Sequence, residues 1–215
     1  MVLKTAMLKP VAFAILCVAA GSSHADLTVY TSQASFLAAV TNPGVDTFAG
    51  FSITGSTPSP LTRNAGSYSY NASVSTTSFF GAGTTADPWL STNTATDTIT
   101  FSGFSGGASA IGGNFFTSDI LGQYALGSIT LTATDSLGAT STQTITNSTT
   151  SSFLGFVSTG TLVSLTVSAV QPATPIWPTV DNLTLAVAAV PEPETYAMLL
   201  AGMAVIGFIA RRRRS

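Results

Sequence analysis

The fold of this 215-residue chain is predicted most clearly by the stretch Ile129-Thr130-Leu131-Thr132-Ala133-Thr134. Apolar and hydroxyl side chains alternate in it, so an extended strand would have one apolar and one polar face. Asp135-Ser136-Leu137-Gly138 follows with the residue types of a turn, and residues 139–145 return as a threonine-rich strand. Together these residues predict a half-buried β-hairpin.

Similar patterns recur on both sides of this hairpin. They predict further strands at residues 27–30, 47–53, 98–101, 153–157, 163–169 and 180–185. A short helix is predicted over residues 32–40, with Phe36, Leu37 and Val40 facing inward, and residues 55–60 and 81–88 are predicted as surface loops. Strand centres about 8–12 residues apart, separated by turn signals, predict an all-β fold, an antiparallel, jelly-roll-like β-sandwich with one short N-terminal helix.

The N-terminal 25 residues have the pattern of a secretory signal peptide. Lys4 and Lys9 precede an apolar run at residues 11–20, and Ser23-His24-Ala25 is a small-x-small cleavage sequence. We therefore expect cleavage between Ala25 and Asp26, and a β-sandwich ectodomain over residues 26–187.

The C-terminal segment, residues 188–215, has three parts. Pro191-Glu192-Pro193 comes first and is expected to be extended because proline lacks an N–H group and restricts its neighbours. An uncharged run at about 196–210 predicts a single transmembrane helix, and the basic tail Arg211-Arg212-Arg213-Arg214 marks its cytoplasmic end.

This order of parts resembles the sorting tail of PEP-CTERM proteins, which are exported bacterial proteins. The resemblance implies recognition by exosortase, a membrane cysteine transpeptidase-like enzyme, through Pro191, Glu192, Pro193 and the four arginines. It further implies transient anchoring in the inner membrane of a Gram-negative-type bacterium, removal of the helix, and transfer to the cell surface or extracellular matrix. An ordinary C-terminal membrane anchor is the alternative.

A weaker resemblance covers most of residues 26–187. Segments such as Asp46-Thr47-Phe48, Phe153-Leu154-Gly155-Phe156 and Asp181-Asn182-Leu183 are similar to the β-sandwich ectodomains of PEP-CTERM proteins, which are themselves similar to carbohydrate-binding jelly rolls. It implies the fold more than a ligand.

Composition restricts the chemistry of the mature protein. Residues 26–190 contain no Cys, His, Lys or Glu, and one arginine against seven aspartates leaves a net charge of −6. So few cations cannot neutralise phosphates, which argues against nucleic acid as a partner. Nucleophilic systems that need imidazole and zinc sites that use His or Cys are also excluded. A two-carboxylate mechanism is the one enzyme chemistry left, and no aspartate pair stands out for it.

Two small sets of residues are candidate ligand sites. Asp181 and Asn182, together with Asp46, have the oxygen ligands that a structural calcium ion prefers. The alternative is that Asp181 caps a strand end. Trp89 and Trp177 are candidate platforms for sugar rings, although tryptophan is more often a lid on the core.

The sequence therefore predicts a non-enzymatic surface or matrix protein that acts in adhesion or exopolysaccharide organisation in a biofilm matrix. It needs no cofactor, and its expected partners are exosortase, the membrane before processing, and extracellular polysaccharide. The alternative is a carbohydrate-binding module or a carboxylate-dependent polysaccharide enzyme.

Overall fold

The computed structural model describes residues 26–76, 78–189 and 193–212. Its helices are α1 (Gln33–Ala38) and α2 (Pro193–Arg212). The strands, in chain order, are β1 (Leu27–Tyr30), β2 (Val40–Asp46), β3 (Ser56–Pro58), β4 (Leu61–Ala65), β5 (Tyr68–Val74), β6 (Ser78–Gly83), β7 (Pro88–Thr92), β8 (Thr98–Ser102), β9 (Ala110–Ser118), β10 (Tyr124–Ala125), β11 (Gly127–Asp135), β12 (Thr140–Ser148), β13 (Phe153–Ser158), β14 (Leu162–Val170) and β15 (Trp177–Ala188).

The strands form two antiparallel sheets. Sheet A has nine strands, with the main order β1-β13-β9-β15-β7-β6-β3, while β10 pairs with β9 and β2 pairs with β15. Sheet B has six strands in the order β12-β11-β14-β8-β5-β4. One buried cluster includes Phe115 and Leu183 of sheet A and Ile129 and Leu165 of sheet B. The all-β sandwich predicted from the alternation is therefore confirmed.

Three strand pairs are nested around the predicted hairpin. The hairpin β11–β12 is innermost, and the pairs β9–β13, β8–β14 and β7–β15 enclose it in turn. Successive pairs alternate between the two sheets. A hairpin rolled up in this way has the strand order expected of a jelly roll.

Helix α1 covers part of the outer face of sheet A. Ser32 caps it, because its hydroxyl accepts a hydrogen bond from the Ser35 N–H. Phe36 is fully buried in a small second cluster with Phe153 and Ala186. Leu37, which was predicted to face inward, is 39% exposed, so that prediction is wrong.

Four predicted elements differ from the structure. Residues 40–46 form β2, and residues 47–53 contain no strand, because the chain turns at Phe48, whose φ is 54°. β2 tolerates Pro43 because its ladder is formed with β15 alone. The predicted loops at 55–60 and 81–88 contain β3, the end of β6 and the start of β7. The strand predicted at 180–185 is longer in the structure, where β15 begins at Trp177 and ends at Ala188.

The alternation of β14 also changes at one point. The register with β11 shifts between Thr134 and Asp135, so Asp135 faces Leu162. As a result Leu162 is buried and Val163, which a regular alternation over the predicted strand 163–169 would place on the same face as Leu165, is 48% exposed. A bulge of this kind moves side chains to the opposite face of a strand.

Candidate functional site

Asp46, one of the three calcium candidates, forms an ion pair inside the sandwich. Its carboxylate accepts hydrogen bonds from Nε and Nη2 of Arg63, both at 2.7 Å. The Tyr70 hydroxyl and the Phe48 N–H donate to the same carboxylate at 2.6 and 2.8 Å. Burial, followed by the nearby Asp46 charge, raises the pKa of Tyr70 and keeps it protonated. Asp46 therefore serves as the centre of a polar cluster that joins β2 to β4 and β5.

Asp181 and Asn182 lie at a bulge in β15, where the register with β9 shifts. Asn182 has a φ of 51°, and both its backbone N–H and its side-chain amide donate to the Asp181 carboxylate at 2.7 Å. These bonds agree with the alternative function of Asp181 as a local cap. Among residues 26–76, 78–189 and 193–212, no group of three or more His, Cys, Asp or Glu residues could hold a metal ion.

The environment of Asp181 disfavours its charge. Burial raises its pKa to about 6, the Asn182 N–H partly opposes this, and the nearby Asp87 charge raises it further. Asp181 is thus protonated more readily in the folded than in the unfolded chain. Its favourable contribution to stability is fully present below the unfolded pKa near 3.8 and is lost as the pH rises through about 6.

We expect Asp181→Asn to become relatively more stabilising as the pH rises. The neutral amide avoids the cost of a buried charge at pH 7.5, whereas at pH 4 the wild-type side chain is itself neutral. The measurement is the difference in Tm between variant and wild type at both pH values, with the exposed Asp26→Asn as control. A difference that does not change with pH would contradict this expectation.

Trp89 lies close to Asp87 on the outer face of sheet A. Its neighbour Leu90 points into the core, so the alternation of β7 directs Trp89 outward. The indole N–H donates to Asp87 Oδ2 at 3.1 Å, and the ring packs edge-on against Phe116 with a centroid distance of 4.8 Å. Trp89 is half-buried, which agrees with its function as a lid on this face.

Trp177 lies in a different setting, beside a small open pocket. The pocket has a volume of about 250 Å³ and is lined by Phe80, Thr92, Asn93, Asp119, Ile120 and Trp177. Two aromatic rings, one carboxylate and one amide in a single concavity suit a sugar, which offers an apolar ring face and a rim of hydroxyl groups.

The loop that closes this pocket is held in a defined shape. Asp119 Oδ1 accepts hydrogen bonds from the N–H groups of Leu121 and Gln123, each at 2.9 Å. The Gly83 N–H donates to the Gly122 carbonyl at 2.9 Å and ties the loop to β6. Ile120 is 72% exposed at the rim. The pocket is therefore built before any ligand binds, which lowers the entropic cost of binding.

Sequence reasoning identified Trp177 and missed its partners. Asn93 follows β7 and Asp119 follows β9, so no periodic pattern connects them. It also missed the pairing of Arg63 with Asp46. A signal for that pair existed, because Arg63 is the only cation between residues 26 and 190 and a half-buried cation needs an anion.

Residues 193–212 of the C-terminal segment form a helix. Helix α2 contains the predicted residues 196–210 and begins at Pro193, so Pro193 is not part of an extended segment. Proline is common in the first helical turn, where its missing N–H costs nothing. Arg211 and Arg212 lie in the last turn of the helix. Residues 1–25, Pro191, Glu192, Arg213 and Arg214 lie outside the described residues, as therefore do the predicted signal peptide and Ala25.

The prediction of a transmembrane helix is not supported. Within the described residues, no helix combines the length and the apolar character needed to cross a membrane. The uncharged run from Tyr196 to Ala210 would span roughly 22 Å as a helix, which is shorter than the hydrocarbon core of a bilayer.

Comparison with known proteins assigns this C-terminal segment. A family model described as the PEP-CTERM protein-sorting motif matches residues 189–214. No curated protein and no solved structure was found to match the chain. The motif implies export, membrane-associated sorting to the cell surface and processing by exosortase. The chain therefore carries a PEP-CTERM sorting motif after a β-sandwich domain, as an exosortase-sorted extracellular protein would.

Proposed function

We propose that this exosortase-sorted protein is a non-catalytic component of the cell surface or extracellular matrix, and that its sandwich binds extracellular polysaccharide. The observation that supports this function best is the preformed pocket beside Trp177, which Asn93 and Asp119 line together with the aromatic rings of Phe80 and Trp177. Binding of this kind would serve adhesion or the organisation of exopolysaccharide in a biofilm matrix. The producing cell would be a Gram-negative-type bacterium.

The position of the pocket supports the proposal. It lies where β15 begins, at Trp177, and the sorting motif follows the other end of the same strand, at Ala188. Eleven residue steps of an extended strand separate the two ends by about 36 Å. A protein held through its C-terminal segment would therefore present this pocket away from the point of attachment.

Binding to polysaccharide purified from the producing bacterium tests the proposal. We expect Trp177→Ala to weaken binding roughly tenfold, or about 1.4 kcal/mol, because a stacking surface is lost. Trp89→Ala is the matched control, since Trp89 lies against Phe116 and Asp87 on another part of the sheet. Binding can be measured by calorimetry after thermal unfolding has shown that both variants fold. Equal affinities of the wild type and Trp177→Ala would contradict the proposal.

A second candidate function is a carboxylate-dependent polysaccharide enzyme. The observation that favours it is the carboxyl group of Asp181, whose pKa is raised to about 6 mainly by burial and further by the charge of Asp87, because a general acid in a glycosidase needs a carboxyl group with a raised pKa. Turnover of the polysaccharide that is lost in both Asp87→Asn and Asp181→Asn would establish this function. Binding without turnover would support the non-catalytic one.

A further inference from the structure

A second concavity lies at the end of the sandwich from which the sorting motif leaves. We call it the basal groove; it has a volume of about 430 Å³ and is lined by residues that include Thr28, Tyr30, Ala39, Val157, Ala188 and Ala189. It lies on the outer face of sheet A, between β1, the end of α1 and the end of β15. None of its lining residues is charged, although residues 26–190 carry a net charge of −6.

Hydrogen bonds attach the chain to the folded domain as far as Ala189, the first residue of the matched motif. The Ala188 N–H donates to Ser109 Oγ at 2.7 Å, and the Ser109 carbonyl accepts from the Ser158 N–H at 2.8 Å. The Ala189 N–H donates to the Ala39 carbonyl at 2.9 Å. Because the family match begins at residue 189, no spacer separates the wall of the basal groove from the sorting motif.

The short distance between the folded domain and the PEP sequence restricts where a processing enzyme can bind. Glu192 is three residues beyond Ala189, and three residues reach at most roughly 11 Å when fully extended. A folded enzyme is several times wider than this distance, so an enzyme that binds Pro191-Glu192-Pro193 also comes within reach of the domain surface around Ala189, which includes the groove. The absence of charge in the groove lowers the desolvation cost of such a contact.

We propose that the basal groove is a docking surface for exosortase, which contacts it while it binds the PEP sequence. The proposal rests on sorting by exosortase and adds a second point of recognition, on the folded domain. The contact would present the segment after Ala189 to the enzyme in a defined orientation and raise its effective concentration at the processing site.

Charged substitutions at the rim of the groove test this inference. Thr28 and Thr159 are exposed groove residues, so Thr28→Arg and Thr159→Arg block docking without disturbing the core. Thr142→Arg is the matched control, because Thr142 is also exposed and lies on β12 of sheet B. Each full-length variant is expressed in cells with exosortase, and the ratio of processed to unprocessed protein is followed by immunoblot and intact mass after a pulse.

We expect both groove variants to be processed roughly tenfold more slowly than Thr142→Arg, which corresponds to about 1.4 kcal/mol of lost binding free energy. A Gly-Ser spacer inserted after Ala189 should slow the wild type and remove the further effect of Thr28→Arg, since it separates the groove from the motif. Thermal unfolding checks that each variant folds. Processing of both groove variants at the rate of Thr142→Arg would overturn the proposal.

Variants of the motif separate this inference from sorting itself. Alanine at Pro191, Glu192 and Pro193 together should abolish processing in the same cells. If this variant is not processed and the groove variants are processed normally, docking at the groove is rejected and sorting by exosortase is retained. Normal processing of the motif variant would reject exosortase sorting as well.

Discussion

Arg63→Met is expected to destabilise the sandwich by about 3 kcal/mol, because it removes one partner of a half-buried ion pair. Asp46 is buried and would lose the two hydrogen bonds that it accepts from the guanidinium group. The guanidinium also lies over the rings of Phe48 and Phe51, 5.2 and 5.8 Å from their centroids. Its loss would therefore loosen the turn after β2 as well as the link to β4.

Chemical denaturation and thermal unfolding measure this effect. For a domain of this size, 3 kcal/mol corresponds to a decrease in Tm of roughly 6–12 °C. Asn64→Ala, an exposed change in the same strand, is the control and should have little effect. Asp46→Asn in the Arg63→Met background should recover part of the loss, because it removes the unpaired charge. An unchanged unfolding free energy in Arg63→Met would contradict the importance of this pair.

Phe101→Ala is expected to destabilise the protein by about 3–5 kcal/mol, because it leaves a large cavity between the sheets. Phe101 is fully buried and lies opposite Ala72 and Leu165 in the ladders of sheet B. Its ring packs edge-on against Tyr70 at a centroid distance of 5.8 Å. The cavity would therefore also disturb Tyr70, which donates a hydrogen bond to the Asp46 carboxylate.

Val163→Ala is the matched control for the Phe101 variant, since it also truncates an apolar strand residue of sheet B. Val163 is exposed, and its loss should change the unfolding free energy by less than about 0.5 kcal/mol. Urea denaturation of both variants measures the contrast. A large effect of Val163→Ala would mean that the alternation of β14 continues without the bulge at Leu162.

The strands of the central hairpin and β8 could be predicted because their environment is simple. Ile129, Leu131 and Phe101 face the core, and the threonines between them face outward, so the period of two appears directly in the residue types. β2 could not be predicted in this way. Its residues include Asn42, Pro43 and Gly44, which have low strand propensity, and the ladder with β15 places them in a sheet.

For the candidate sites too, single residues could be selected from the sequence, but their partners could not. Trp177 could be selected by residue type, yet Asn93 and Asp119 complete its pocket from the ends of two other strands. Asp46 could be selected as a candidate calcium ligand together with Asp181, but the fold pairs it with Arg63, 17 residues away. Such partners are set by strand order and register, which act over long distances along the chain.

By itself the sequence determined the all-β class, the thiol-free and imidazole-free chemistry of residues 26–190, and the sorting motif at residues 189–214. Each of these follows from composition or from neighbouring residues, whose physical effect is local. The tertiary structure alone decided the ion pair of Asp46, the exposure of Val163, the pocket beside Trp177 and the groove that ends at Ala189. Each of these depends on which strands are adjacent, because side chains distant in sequence meet only when the sheets pair and pack.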